Sequence, residues 1–231
     1  MIKFRILLTA FLVCFFTVSA FGQSGGRVSD VEVWLKAGGK VDLTDKWEIA
    51  FEEQIRFDDD VNALKNFHTE IQLTFKPIEA LSLHAVSRYI TRNDNSGSIQ
   101  GFEDLFRYQF GASYKHDLGQ LRMKYRALYQ HRNEVGISEA QGDIPEKFLR
   151  LRTSAEYKIK DWKYDPQVRV EYFNALNDEV GTNNQIRFGF GTERDYKKFG
   201  ELGFFYLFES SLGLNIKQLT HILSFKYTYT F

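Results

Sequence analysis

The sequence predicts an all-β protein, a transmembrane antiparallel up-and-down β-barrel of about twelve strands, or ten, over residues 23–231 behind a signal peptide at residues 1–22. Three observations predict it. Polar and apolar residues alternate with period two along most of the chain, the links between these segments alternate between short and long, and the chain stops on an amphipathic strand ending in Phe231.

The leader comes first. Lys3 and Arg5 precede an uncharged apolar run from Ile6 to Val18, then the small residues Ser19, Ala20 and Gly22. This is the layout of a secretory signal, and the run falls short of the roughly 20 apolar residues of a spanning helix. Cleavage fits after Ala20 or after Gly22, and Gly22 is taken as the boundary. Cys14 is the only cysteine and sits inside the leader behind Val13, so the mature chain has no disulfide and no lipoprotein cysteine. Losing Lys3 and Arg5 leaves 28 basic residues against 30 acidic ones, a net charge of −2, and no nucleic-acid partner is implied.

The first clean strand runs from Trp47 to Phe57, with Trp47, Ile49, Phe51, Ile55 and Phe57 on one face and Glu48, Glu52, Gln54 and Arg56 on the other. The same reading gives strands at Val31–Leu43, Phe67–Lys76, Leu81–Arg92, Leu105–Lys115, Leu121–Arg132 and Leu149–Ile159. Less cleanly, it gives Gln167–Asn174, Gln185–Arg194, Leu202–Glu209 and Leu219–Phe231. Short links at Thr44–Lys46, Pro77–Ala80, Asp117–Gln120, Lys160–Pro166 and Asp195–Gly200 alternate with longer polar ones, which matches the periplasmic turns and external loops of outer-membrane barrels. Phe225, Tyr227, Tyr229 and Phe231 on the last strand resemble the C-terminal signal read by the outer-membrane assembly machinery. Aromatics gather at both strand ends, with Trp47, Phe75, Tyr114 and Tyr157 on the turn side and Phe57, Phe67, Tyr89, Phe106, Tyr129 and Tyr172 on the loop side. Two interfacial belts in contact with outer-membrane lipid account for that.

Two features resist this reading. The strands number eleven, whereas a wholly antiparallel closed barrel needs an even count. A twelfth strand before Val31, or an N-terminal segment threading the lumen so that the first strand starts from the loop side, would repair it. Glu53 falls on the apolar face, which a bulge at Glu52 and Glu53 would relieve. A soluble lipocalin-like or sandwich fold, with apolar faces turned inward, is the alternative.

The spacing of Trp34, of Trp47 opening a strand that ends in Arg56 and Phe57, of the Arg150 and Arg152 strand, and of His221, Ile222 and Leu223 resembles domain-of-unknown-function family 2490. The resemblance spans nearly the whole mature chain. It implies an outer-membrane barrel and carries no catalytic or binding residues with it.

With apolar faces toward lipid, the four strands from Leu81 to Ile159 aim Arg88, Arg92, Arg107, Lys115, Arg122, Lys124, Arg126, Arg132, Arg150, Arg152 and Lys158 into the lumen, with Glu156 the one carboxylate among them. Glu48, Glu52, Glu70, Glu171, Glu193 and Glu209 come from the other strands. A narrow passive channel whose cationic wall favours small anionic solutes follows from this field. The same residues also suit a closed structural or interaction barrel filled by ion pairs. A third class, an outer-membrane hydrolase, would rest on Ser82 and His84, two apart on one strand face. His221 and Ser224 lie on opposite faces and make no dyad. No enzyme activity, cofactor or metal is expected, since no metal-ligand or phosphate-loop motif occurs. The acidic run Asp58–Asp60 reads as solvated loop charge, with a surface cation as the alternative, and the pairs Gly25–Gly26 and Gly38–Gly39 read as a flexible lead-in and a close strand approach.

Overall fold

The protein is known from a computed structural model that describes residues 27–94, 100–177, 183–196, 199–214 and 216–231. The signal peptide, its cleavage site, the Gly25–Gly26 pair and any threading segment lie outside these residues. Alternating sequence becomes strand throughout: β1 (Arg27–Asp42), β2 (Trp47–Asp58), β3 (Ala63–Ile78), β4 (Leu81–Asp94), β5 (Gly101–Leu118), β6 (Leu121–Glu134), β7 (Glu146–Tyr157), β8 (Pro166–Ala175), β9 (Gln185–Asp195), β10 (Glu201–Ser211) and β11 (Lys217–Thr230). Thr44 fixes the first tight turn, its Oγ1 accepting the Lys46 and Trp47 amides. Gly119 takes the left-handed backbone that the β5–β6 turn needs.

These eleven strands form one closed barrel, each antiparallel to its sequence neighbours, with β1 and β11 closing it as a parallel pair from Arg27 beside Lys217 to Lys40 beside Thr230. The strand count lies within the expected ten to twelve, but it need not be even. Hairpins impose antiparallel pairing on consecutive strands, whereas no hairpin joins the first and last, so their direction follows from the count alone. The polar residues before Val31 extend β1 back to Arg27 and make no twelfth strand. β1 therefore starts on the loop side and runs with β11 toward the short turns.

The apolar faces point outward. Leu35, Phe51, Ile71, Phe110, Leu151, Phe204 and Phe225 are all exposed, the reverse of a lipocalin-like interior. Trp47 stacks on Phe75 at the short-turn rim, their centroids 4.6 Å apart. No bulge rescues Glu53: the β1–β2 and β2–β3 registers run unbroken through it, and the irregularity falls between Arg56 and Phe57. Glu53 faces outward and accepts a 2.7 Å bond from Thr69 Oγ1 on β3. At the terminus, Tyr229 and Phe231 meet edge to face, and the Phe231 amide donates to the Lys40 carbonyl at 3.0 Å. The Phe231 ring lies where a side chain at Gly39 would stand, 2.7 Å from an ideal Cβ, while Gly38 lets β1 approach the Phe51 carbonyl. Asp59, Asp60 and Val61 form a tight left-handed turn, tied to β1 by the Asp60 amide donating to Asp30 Oδ1 at 2.9 Å.

Candidate functional site: the barrel lumen

The inward faces are half-exposed near the short turns and packed toward the middle. On β11 the lumen-facing residues pass from half-buried Lys226 to Ser224 at 4% exposure and Ile222 at 1%. On β2 they pass from half-buried Glu48 and Glu52 to Gln54 at 1%. The lumen is thus a cup opening at the short-turn rim above a buried layer.

Ion pairs line one side of the cup. Lys76 bonds Glu48 at 2.8 Å, Lys226 reaches Glu201 at 2.9 Å and Glu193 at 3.6 Å, and Lys36 lies 3.9 Å from Glu52. On the facing strands Arg126 stands opposite Arg152, and Lys124 and Arg169 both stand opposite Ser154. Among the described residues no carboxylate comes within ion-pair distance of Lys124, Arg152 or Arg169, and Arg169 instead covers the Phe205 ring at 4.0 Å.

The buried layer combines a polar network with an apolar plug. Glu171, 4% exposed, is approached by Arg150 at 2.9 Å, Arg126 at 3.2 Å and Arg187 at 3.8 Å. Arg150 also donates to Gln130, which accepts from Gln109 as well. Glu70 pairs with Arg88 and lies 3.7 Å from Arg107, and Glu209 pairs with Arg187. Against this network sits the cluster of Trp34, Phe205, Leu207 and Ile222, none above 5% exposure. Arg56 stacks over Trp34 at 3.9 Å, and the indole donates to Glu32 Oε2 at 2.6 Å. Arg88, Gln109, Leu128 and His68 continue the layer around the barrel, again at 8% or below.

The family described as a protein of unknown function, DUF2490, matches residues 31–215. The chain belongs to this DUF2490 family. No curated protein and no solved structure matches it.

On the strands of this DUF2490 chain the predicted cations alternate with exposed apolar residues and so share the inner face, but most of them are paired with carboxylates. Arg88 and Arg107 meet Glu70, Arg126 and Arg150 meet Glu171, and Arg122 meets Asp117 at 2.9 Å and Glu156 at 3.9 Å. Glu156 is not the sole carboxylate of those strands. β5 and β7 begin at Gly101 and Glu146, ahead of the expected Leu105 and Leu149, and so place Glu103 against Arg92 and Glu146 against Arg132. Lys158 lies past β7 in the turn and bonds Asp117 at 3.2 Å. His84 turns to neighbouring strands, its Nε2 2.8 Å from Ser113 Oγ and its Nδ1 3.3 Å from Thr74 Oγ1. His221 is on the outer face, its Nδ1 2.7 Å from the Tyr206 hydroxyl. Among the described residues no three His, Cys, Asp or Glu side chains are placed to hold a metal ion.

The plug and the cations Arg169 and Arg187 lie outside the expected wall, and Arg56, expected on the polar face of β2, joins them in the lumen. One signal was available: from Phe204 to Phe208 both faces of β10 are apolar or aromatic, which marks a strand covered on two sides.

Proposed function

We propose that this DUF2490 protein is an outer-membrane β-barrel whose lumen is closed by its own side chains, leaving a charged cup that faces the periplasm and binds small anionic solutes. The closing layer carries this reading: an open channel needs wetted residues at every level, whereas Trp34, Gln54, Leu207 and Ile222 are each at most 5% exposed. The outward apolar wall, the two aromatic rims and strands of 10–18 residues support the membrane placement, since about 9–11 residues suffice for a tilted spanning strand. Short turns then lie in the periplasm and put the cup on that side. Lys124, Arg152 and Arg169, with no carboxylate among the described residues at ion-pair distance around Ser154, supply its anion preference. Assembly machinery that reads Phe225, Tyr227, Tyr229 and Phe231 is the implied partner. The reading includes no catalytic step, and hydrolysis of an ester, lipid or peptide above background by the purified barrel would overturn that part.

Single-channel recording tests the closure. The folded chain, inserted into a planar bilayer with insertion verified by protection from external protease, is expected to stay silent. Discrete steps from the unaltered chain would restore the channel reading. The membrane placement has its own test at Glu53, which then faces lipid. Glu53→Leu is expected to raise the unfolding free energy in bilayers, by less than the roughly 2–4 kcal/mol given for basic residues at mid-membrane. Destabilisation measured by urea titration in vesicles would mean that this face meets a polar partner.

A further inference from the structure

The outer wall carries a groove whose cation, Arg194, has no part in closure or assembly. Near the short-turn rim, a row of outward residues crosses the parallel seam from Leu35 through Phe225 and Phe204 to Thr192, in continuous register over β1, β11, β10 and β9. The next row toward the rim holds Tyr227, Leu202 and Arg194. Between the rows and the turns lies a groove of about 380 Å³, whose wall includes these residues together with Tyr164 and Tyr196 from the β7–β8 and β9–β10 turns. That volume falls in the roughly 300–1,000 Å³ range of small-molecule sites.

Arg194 stands at the rim end of the groove. Its guanidinium lies 4.4 Å from the Tyr196 ring centre and 4.9 Å from that of Tyr164, and the two hydroxyls are 2.9 Å apart. Among the described residues no carboxylate is within ion-pair distance of it. Bonding between the tyrosines and stacking against them holds a planar cation on the outside of the barrel, with an apolar trough leading away from the rim. A guanidinium pairs two-pronged with phosphate oxygens, and the apolar trough suits an acyl chain.

We propose that this groove is a binding site for one phosphate-bearing membrane lipid, with the headgroup phosphate on Arg194 and an acyl chain along Phe204, Phe225 and Leu35. The site rests on the membrane placement proposed above, because it exists only if this wall faces lipid. Charge complementarity selects the occupant: an apolar protein segment would leave Arg194 unmatched at the interface, whereas a phospholipid satisfies both ends of the groove.

Native mass spectrometry of the full detergent-folded chain tests this with added phosphatidylglycerol, phosphatidylethanolamine and diacylglycerol of the same chain length. The expected result is one retained molecule of either phospholipid and none of diacylglycerol. Arg194→Gln is expected to cut retention roughly tenfold, the scale of one charge-assisted contact. Leu202→Trp, at a solvent-exposed wall position that does not depend on lumen packing, is expected to block the trough to a similar extent. Retention of diacylglycerol equal to that of phospholipid, retention unchanged in both variants, or displacement of the lipid by inorganic phosphate would overturn the proposal. Resistance of the unaltered chain to alkaline extraction from vesicles separates the two readings. A chain that washes off overturns both, and one that stays embedded yet holds no phospholipid overturns the lipid site alone.

Discussion

Replacing Glu171 with Gln lowers the unfolding free energy of the barrel by about 3–5 kcal/mol, the scale measured when one partner of a buried ion pair is removed. Glu171 is 4% exposed and is approached by Arg126, Arg150 and Arg187 from three different strands. In Glu171→Gln the guanidiniums remain, and a neutral amide oxygen gives them one weak acceptor in place of a carboxylate. Arg187 keeps Glu209, but among the described residues no other carboxylate lies within ion-pair distance of Arg126, and Arg150 falls back on Gln130. Removing a cation is milder: Arg150→Met leaves Glu171 with two arginines and retains apolar bulk against Phe173, on which the guanidinium rests at 4.5 Å. It should therefore cost half as much or less. Urea unfolding in lipid vesicles, followed by tryptophan fluorescence, measures both. A loss below about 1 kcal/mol in Glu171→Gln, typical of an exposed pair, would mean that water reaches this level of the lumen. Because the cluster is buried, the loss should also change little between low and high salt.

Alternation revealed the strands wherever they cross the apolar wall. β2 was expected over Trp47–Phe57 and runs Trp47–Asp58; β6 was expected over Leu121–Arg132 and runs Leu121–Glu134. The signal fades above the wall, where both faces of a strand are polar while the hydrogen-bonded ladder continues. Glu103 and Glu146 lie in that zone, outside the expected strands, so the cations they neutralise look unopposed in the sequence. Closure was hidden for a different reason. A hairpin has a sequence signature and the pairing of two chain ends has none, so nothing local marks β1 and β11 as parallel. The plug was hidden by phase: Trp34 and Leu128 occur in step with Glu32, Lys36, Arg126 and Gln130, and an apolar residue among polar ones on a lumen face is read as an exception. Here such exceptions converge at one height and set whether the barrel is open.

Trp34→Ala is the substitution expected to change behaviour most. The indole fills the layer between Arg56 at 3.9 Å and Arg187 at 5.1 Å and donates to Glu32, which also holds Lys65 at 2.5 Å. Truncating it forfeits about 3–5 kcal/mol, as for other buried aromatics. It also leaves a void bordered by two guanidiniums and a carboxylate, and a void with several polar partners takes up water. The strand ladders of β1 involve none of the lost atoms, so the barrel should still assemble while the cup gains a wet path past its floor. In planar bilayers Trp34→Ala is therefore expected to show discrete conductance steps where the unaltered chain is silent. A salt gradient should give a reversal potential of anion-selective sign, since Arg56 and Arg187 border the opening. Trp34→Phe, which keeps an aromatic ring in the layer while losing the bond to Glu32 and part of the indole's bulk, should stay silent. If Trp34→Ala inserts and remains silent, closure belongs to Phe205, Leu207 and Ile222 on β10 and β11, which would still pack without the indole, and the tryptophan is then a brace for Arg56 and Glu32 with no part in sealing the lumen.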